Sequence, residues 1–210
     1  TLTRPTDIIA CVIPIAWGLW GWEDIKGRLT FFRNNLHLLL AASATCLAVG
    51  SLQLRYWKFV TGYWLYYSYQ DETFSWLRPH ALIGTISYKV GWFIYSPLAL
   101  AGFLGFVVLL FQKSKVMWAT GIVLALAMYI VFSWDEYLYG GSLGSRAMVQ
   151  YYALLAFPMA AMIQFIWKSK IARVFLIFLI GIGTYYNFWL THQAHRGGYL
   201  PVGQVTKEYF

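Results

Sequence analysis

Three stretches of this sequence gather side chains that could bind an anion. In LRPHALIGTISYKVGWFIY, Arg78, His80 and Lys89 bracket a short semi-apolar run. Three groups able to carry positive charge at that spacing suit a phosphate or pyrophosphate. Pro79 disfavours helix at Arg78 and Gly84 loosens the residues after it, so a loop or re-entrant turn is expected there. In WDEYLYGGSLGSRAM, the glycines Gly140, Gly141 and Gly144 run into Arg146 just ahead of a long apolar stretch. A glycine-rich turn entering a helix exposes N–H groups and a favourable dipole, here beside a guanidinium fork. Asp135 and Glu136 precede that turn as candidate acidic contributors. Lys58, in the third stretch, is a further candidate for a phosphate contact. Each position has an ordinary reading too: Lys and Arg snorkel to headgroups, and glycines shape a tight turn without any ligand. His192 and His195 could share a helical face, but two imidazoles without a third ligand do not make a metal site.

The elements that must position these groups are apolar. The chain is 60% hydrophobic, 20% aromatic and only 11% charged, with mean hydropathy +0.55, a balance that excludes an ordinary soluble domain. Apolar stretches cover residues 8–22, 36–54, 91–111, 116–134, 147–167 and 171–190, against about 20 residues needed to cross ~30 Å of hydrocarbon. The first is short. The expected fold is an all-α polytopic membrane protein with about six transmembrane helices, forming one helical membrane domain over 1–210. Pro14, Pro97 and Pro158 mark expected kinks, and Cys11 and Cys46 read as small apolar side chains within helices.

Charge orients these spans, because short cytoplasmic loops retain Lys and Arg. Lys26, Arg28 and Arg33 follow the first span, Lys113 and Lys115 join the third and fourth, and Lys168, Lys170 and Arg173 join the fifth and sixth. These connections are expected in the cytoplasm. Both termini, the segment 55–90, the loop 134–146 and the tail after residue 190 then lie outside. The net charge of +8 follows from this topology and from anionic lipid, without nucleic acid. Residue 1 is Thr and no signal peptide is apparent. The chain therefore reads as the C-terminal part of a longer membrane protein, with an odd number of helices ahead of it.

The segment 55–90 opens with ten aromatic side chains between Tyr56 and Trp76, Tyr69 among them. Amphipathic rings favour the headgroup level, so an interfacial segment on the outer face is expected, with Arg55 and Lys58 near phosphates. Some of these rings could instead line a groove for an isoprenoid chain.

In order, the outer motifs resemble a known family. IGTISYKVGWFIYSPLALAGFLGF and WDEYLYGGSLGSRAMVQYYALLAFPMAAMI are similar to segments of bacterial glycosyltransferase-C superfamily membrane proteins, near the dolichyl-phosphate-mannose protein mannosyltransferase-like group. Gly140, Gly141, Gly144, Arg146, Leu154, Ala156 and Pro158 stand in register with that pattern. QLRYWKFVTGYWLYYSY and THQAHRGGYLPVGQVTKEYF look like the same kind of protein. The resemblance implies an enzyme of the bacterial inner membrane that takes a sugar from a polyprenyl-phosphate donor and transfers it at the outer face. It also implies a catalytic carboxylate, and often a metal-associated acidic pair, in a first outer loop that nothing here matches. Any divalent metal is then expected on residues outside this chain.

Inverting transfer needs a base for the acceptor and positive charge for the departing phosphate. Lys89 and Arg146 lead as lipid-phosphate or substrate contacts, with Arg78, His80 and Lys58 behind them. Partners expected on this reading are membrane lipid, the polyprenyl-phosphate-sugar donor, and the N-terminal part of the same protein or other membrane subunits. The competing reading is a non-catalytic integral membrane subunit packed in a larger envelope complex. A transporter would require ionisable groups at mid-membrane depth, where His37 alone is thin support.

Overall fold

The computed structural model describes residues 5–67, 71–139, 141–196 and 205–207. Within them the chain is all-helical, 74% of it, with no strand. A 3₁₀ helix, Pro5–Cys11, runs into α1, Val12–Ala16. After a break at residues 17–21 come α2, Trp22–Asn34, and α3, Leu36–Thr61. Two short helices follow, α4, Ala81–Ile86, and α5, Trp92–Tyr95, then α6, Pro97–Phe111, and α7, Met117–Ser133. A second 3₁₀ helix, Arg146–Tyr151, leads into α8, Tyr152–Ile166, and α9 closes the series at Lys170–Arg196.

Three helical stretches are long and apolar enough to cross a membrane: Leu36–Thr61, Arg146–Ile166 and Lys170–Arg196. The apolar stretches Thr6–Ala16, Pro97–Phe111 and Met117–Ser133 form shorter helices. The seventeen residues of α7 rise about 26 Å and the fifteen of α6 about 22 Å.

Local chemistry explains where the helices depart from the apolar stretches. Pro97 keeps Ser96 out of helical geometry, φ −138° and ψ 69°, so the stretch 91–111 splits into α5 and α6, with Pro97 opening α6. Residues 55–61, expected to lie in the interfacial segment, instead continue α3, because nothing stops the helix before Gly62 takes the left-handed φ of +80°. For the same reason α9 runs through His192 and His195 to Arg196. Cys11 and Cys46, expected as packed small side chains, are both exposed on their helices.

Cross-contacts set the helix directions. Gly102 faces Leu155 and Gly105 faces Pro158, so α6 and α8 run parallel. A Cβ at Gly105 would stand 2.1 Å from the Pro158 carbonyl oxygen, which shows how closely the two backbones pass. Gly121 near the start of α7 lies against Phe106 near the end of α6 across their short turn, and Gly183 of α9 lies against Leu98 while the later Leu190 packs with the earlier Tyr95, so both run antiparallel to α6. At the start of the described chain, Gln150 donates to Asp7 Oδ1 at 3.1 Å, whereas Gly18 N donates to Lys115 O at 3.1 Å. Residues 7–18 therefore traverse the bundle, helped by the longer rise of a 3₁₀ helix, about 2 Å per residue.

The bundle thus has two chemically different ends. One carries the turns with Lys113 and Lys115 and with Lys168 and Lys170, together with the start of α2. There Arg28 donates to the carbonyl oxygens of Pro14 and Trp17, and the Trp20 and Trp118 rings lie 6.1 Å apart. The other end carries residues 73–96, the α7–α8 connection and the close of α9. The core between them centres on Trp92, Leu124, Phe132, Met148 and Leu155. α3 stands apart from it: none of its residues is buried, and its neighbour is α2.

Candidate anion site at one end of the bundle

Residues 73–80 clamp onto the close of α7. Ser75 N donates to Ser133 O at 2.7 Å, Asp135 N to Thr73 O at 3.1 Å and His80 N to Phe132 O at 2.6 Å. Phe74 and Trp134 pair as an isolated antiparallel bridge, and Tyr129 donates to Trp76 O at 2.8 Å. α4 then begins at Ala81 and presses Gly84 onto the Phe132 ring, where a Cβ would meet ring carbons at 2.2 Å.

Asp135 completes this clamp. Its carboxylate accepts from the hydroxyls of Ser75 and Thr73, and His80 Nε2 stands 3.9 Å from Oδ1. The hydroxyl of Ser75, then that of Thr73, hold the Asp135 carboxyl below the ordinary value of 3.8, because both bonds favour the ionised form. The His80 ring stacks on Tyr137 with centroids 4.5 Å apart. Asp135 and His80 are therefore committed partners of the loop itself, and a carboxylate so stabilised is a weak proton acceptor.

Ser145 joins the turns that carry the two leading cations. Its buried hydroxyl lies 2.9 Å from Gly84 O and 2.8 Å from Val90 O. Val90 follows Lys89 and Ser145 precedes Arg146, so one side chain joins the backbones of the two basic turns. Tyr95 reinforces the contact by donating to Tyr88 O, and Gly144 packs against the Tyr95 ring. Arg78 is exposed two residues before His80, Lys89 is half-buried and Arg146 is exposed at the start of its 3₁₀ helix. Among the described residues no carboxylate pairs with Arg78, Lys89 or Arg146. Three uncompensated cations on one knot of loops can hold an anionic headgroup.

No family model, curated protein or solved structure matches this chain. Its functional reading therefore rests on the residues themselves.

The structure does not bring every candidate into this knot. Lys58 ends α3, where its ammonium donates to Gly62 O at 2.6 Å and stands 5.9 Å over the Trp64 ring. That is the work of a helix C-terminus, where a cation meets the last carbonyls. Glu136 is exposed and uses only its carbonyl, accepting from Tyr139 N at 3.0 Å. Gly140 and Tyr69 lie outside the described residues, as does most of the tail after Arg196. Sequence reasoning missed Thr73, Ser75 and Ser145. Their hydroxyls carry no spacing signal, since each matters only through a partner some 55 to 62 positions away in the chain.

Proposed function

We propose that this chain is the phosphate-holding membrane part of a glycosyltransferase that moves a sugar from a polyprenyl-phosphate carrier to an acceptor at the outer face of a bacterial inner membrane. The observation that carries the reading is the Ser145 junction, which sets Lys89 and Arg146 on adjoining turns at the end of the bundle away from the Lys113 and Lys168 turns. On this topology all six apolar stretches span the bilayer, α5 and α6 acting as one crossing, and the aromatic residues after Gly62 lie at the outer interface. Both ends of the described chain then face outward.

Lys89 and Arg146 neutralise the departing phosphate and Arg78 extends the positive field, while His80 stays with Asp135 and Tyr137 in the clamp. Asp135 is a poor choice for the acceptor's base, since the hydroxyls of Ser75 and Thr73 hold its carboxyl below the ordinary value. The resemblance also implies a divalent metal. Among the described residues no group of three or more His, Cys, Asp or Glu side chains could hold one, so these residues do not fit a metal and no step is drawn through it.

The test is transfer from a polyprenyl-phosphate sugar by the complete membrane assembly carrying Lys89→Gln or Arg146→Gln. Each change should lower transfer about 10- to 100-fold with the protein still folded, in line with the loss of a charge-assisted phosphate contact. Unchanged transfer in both variants would defeat the assignment. A second reading, a non-catalytic subunit of a larger envelope complex, draws on α3, whose surface is left bare by the rest of the chain. Co-purification of stoichiometric partner helices, with no transfer activity, would favour it.

A further inference from the structure

Between α6, α8 and α9 lies a groove of about 490 Å³, within the usual range for ligand sites. Leu98, Leu155, Met159 and Phe188 make much of its wall. Its end nearest the basic turns is different, because Ser96, Tyr152 and Thr191 meet there. Trp92 Nε1 donates to Tyr152 Oη at 3.2 Å, and Tyr152 donates in turn to Ser96 Oγ at 2.8 Å. That relay stops at Ser96, whose own proton has no acceptor among the described residues. Across the groove, Thr184 and Asn187 are three apart on α9 and line the same space. Among the described residues the Thr184 hydroxyl has no hydrogen-bond partner, and Asn187 uses one amide proton on Gly183 O at 2.7 Å, which leaves its side-chain Oδ1 and second N–H.

α8 and α9 belong to stretches long and apolar enough to cross a membrane, and hydrogen-bonding groups facing hydrocarbon without partners are costly there. A plain hydrocarbon tail would leave Ser96, Thr184 and Asn187 unsatisfied. A polyprenyl phosphate carries its only acceptors on the phosphate, so with that phosphate at the basic turns it could accept from Ser96 at most and would leave Thr184 and Asn187 facing its hydrocarbon. The occupant that fits carries acceptors just above an apolar tail, with negative charge above those. We propose that the groove binds one diacyl glycerophospholipid, an acyl chain lying between α6 and α9 and an ester carbonyl accepting from Ser96. Its phosphate meets the positive charge of the turns that carry Lys89 and Arg146, which lead into α5 and α8 at that end. The lipid shares these basic turns with the sugar donor proposed above, so the two would compete for them, whereas the groove and the Ser96 contact make no use of sugar transfer.

Native mass spectrometry of the purified chain in mild detergent tests it, with equimolar diester phospholipid and its diether analogue lacking the carbonyls as probes. The expected result is one bound phospholipid, with diester preferred over diether about five- to tenfold, the worth of one hydrogen bond. Ser96→Ala should abolish that preference while leaving binding of the diether unchanged. Ala156→Trp, which fills the groove from an exposed position on α8, should evict the lipid. Equal retention of diester and diether by the unmodified chain would overturn the proposal. So would an undiminished preference in the Ser96→Ala protein, a substitution mild enough to keep the test sound should the tryptophan variant misfold.

Discussion

At the scale of single residues, the loop knot depends on hydroxyl groups more than on its charges. Ser145→Ala leaves the carbonyl oxygens of Gly84 and Val90 without their shared donor in a buried place, at a cost of about 1–3 kcal/mol. A lowered unfolding temperature in detergent, with Lys89 and Arg146 both intact, is the expected outcome. Asp135 adds a pH dependence whose sign can be worked out. Its folded pKa lies below 3.8 because Ser75 and Thr73 donate to it. A depressed carboxylate contributes stability that is present above the unfolded value and lost as pH falls through the folded one. The clamp of residues 73–80 should therefore hold at neutral pH and loosen only below about pH 4. Asp135→Asn should loosen it at pH 7 and remove the acid transition, read by amide exchange over residues 73–80. An acid transition of unchanged size in that variant would assign it to another group.

At the scale of elements, the decisive contact is α6 on α8. Gly105 leaves no room for a Cβ against the Pro158 carbonyl, and backbone cannot yield as a flexible side chain does. Gly105→Ala should separate the two helices and destabilise the fold by about 1–3 kcal/mol. Gly50→Ala in α3 meets nothing within 4 Å and should be neutral or slightly stabilising, since Ala is the better helix former. Equal effects of the two substitutions, measured by thermal unfolding, would contradict this packing. Apolar stretches predicted the existence of these helices well and their ends poorly. Hydropathy registers burial in lipid, whereas ends are set by Gly62, Pro97 and the lack of any breaker between Leu190 and Arg196.

At the scale of the whole molecule, the basic turns and the loop knot occupy opposite ends, and topology is the property to measure. Cysteines placed at Lys113 and Lys168 should react with a membrane-impermeant maleimide only from the cytoplasmic side, and one at Glu136 only from the outside. Labelling of all three from one side would overturn the orientation. α3 is the exception in this assembly, since its surface is unburied from end to end. In a bilayer such a helix faces lipid or a partner, and the exposed Cys46 offers a native handle for a lipid-soluble probe.

The sequence by itself determined that the chain is helical and membrane-like, because composition and the length of apolar stretches report directly on the solvent a segment can tolerate. It also singled out Arg78, His80, Lys89, Arg146 and Asp135, since charge is rare here and stands out. Only the tertiary structure decided what those residues do together. Lys58 is occupied by its own helix end, Asp135 is bound into the clamp, and the backbones of the turns that carry Lys89 and Arg146 are joined through Ser145. The groove beside α9 was likewise invisible, because Ser96 sits in the break between α5 and α6 while Tyr152 and Asn187 lie on α8 and α9, and the three share a space only once those elements pack. Hydropathy and charge are local sums over the chain, while a hydrogen bond between residues some sixty positions apart exists only after the backbone has brought them within about 3 Å.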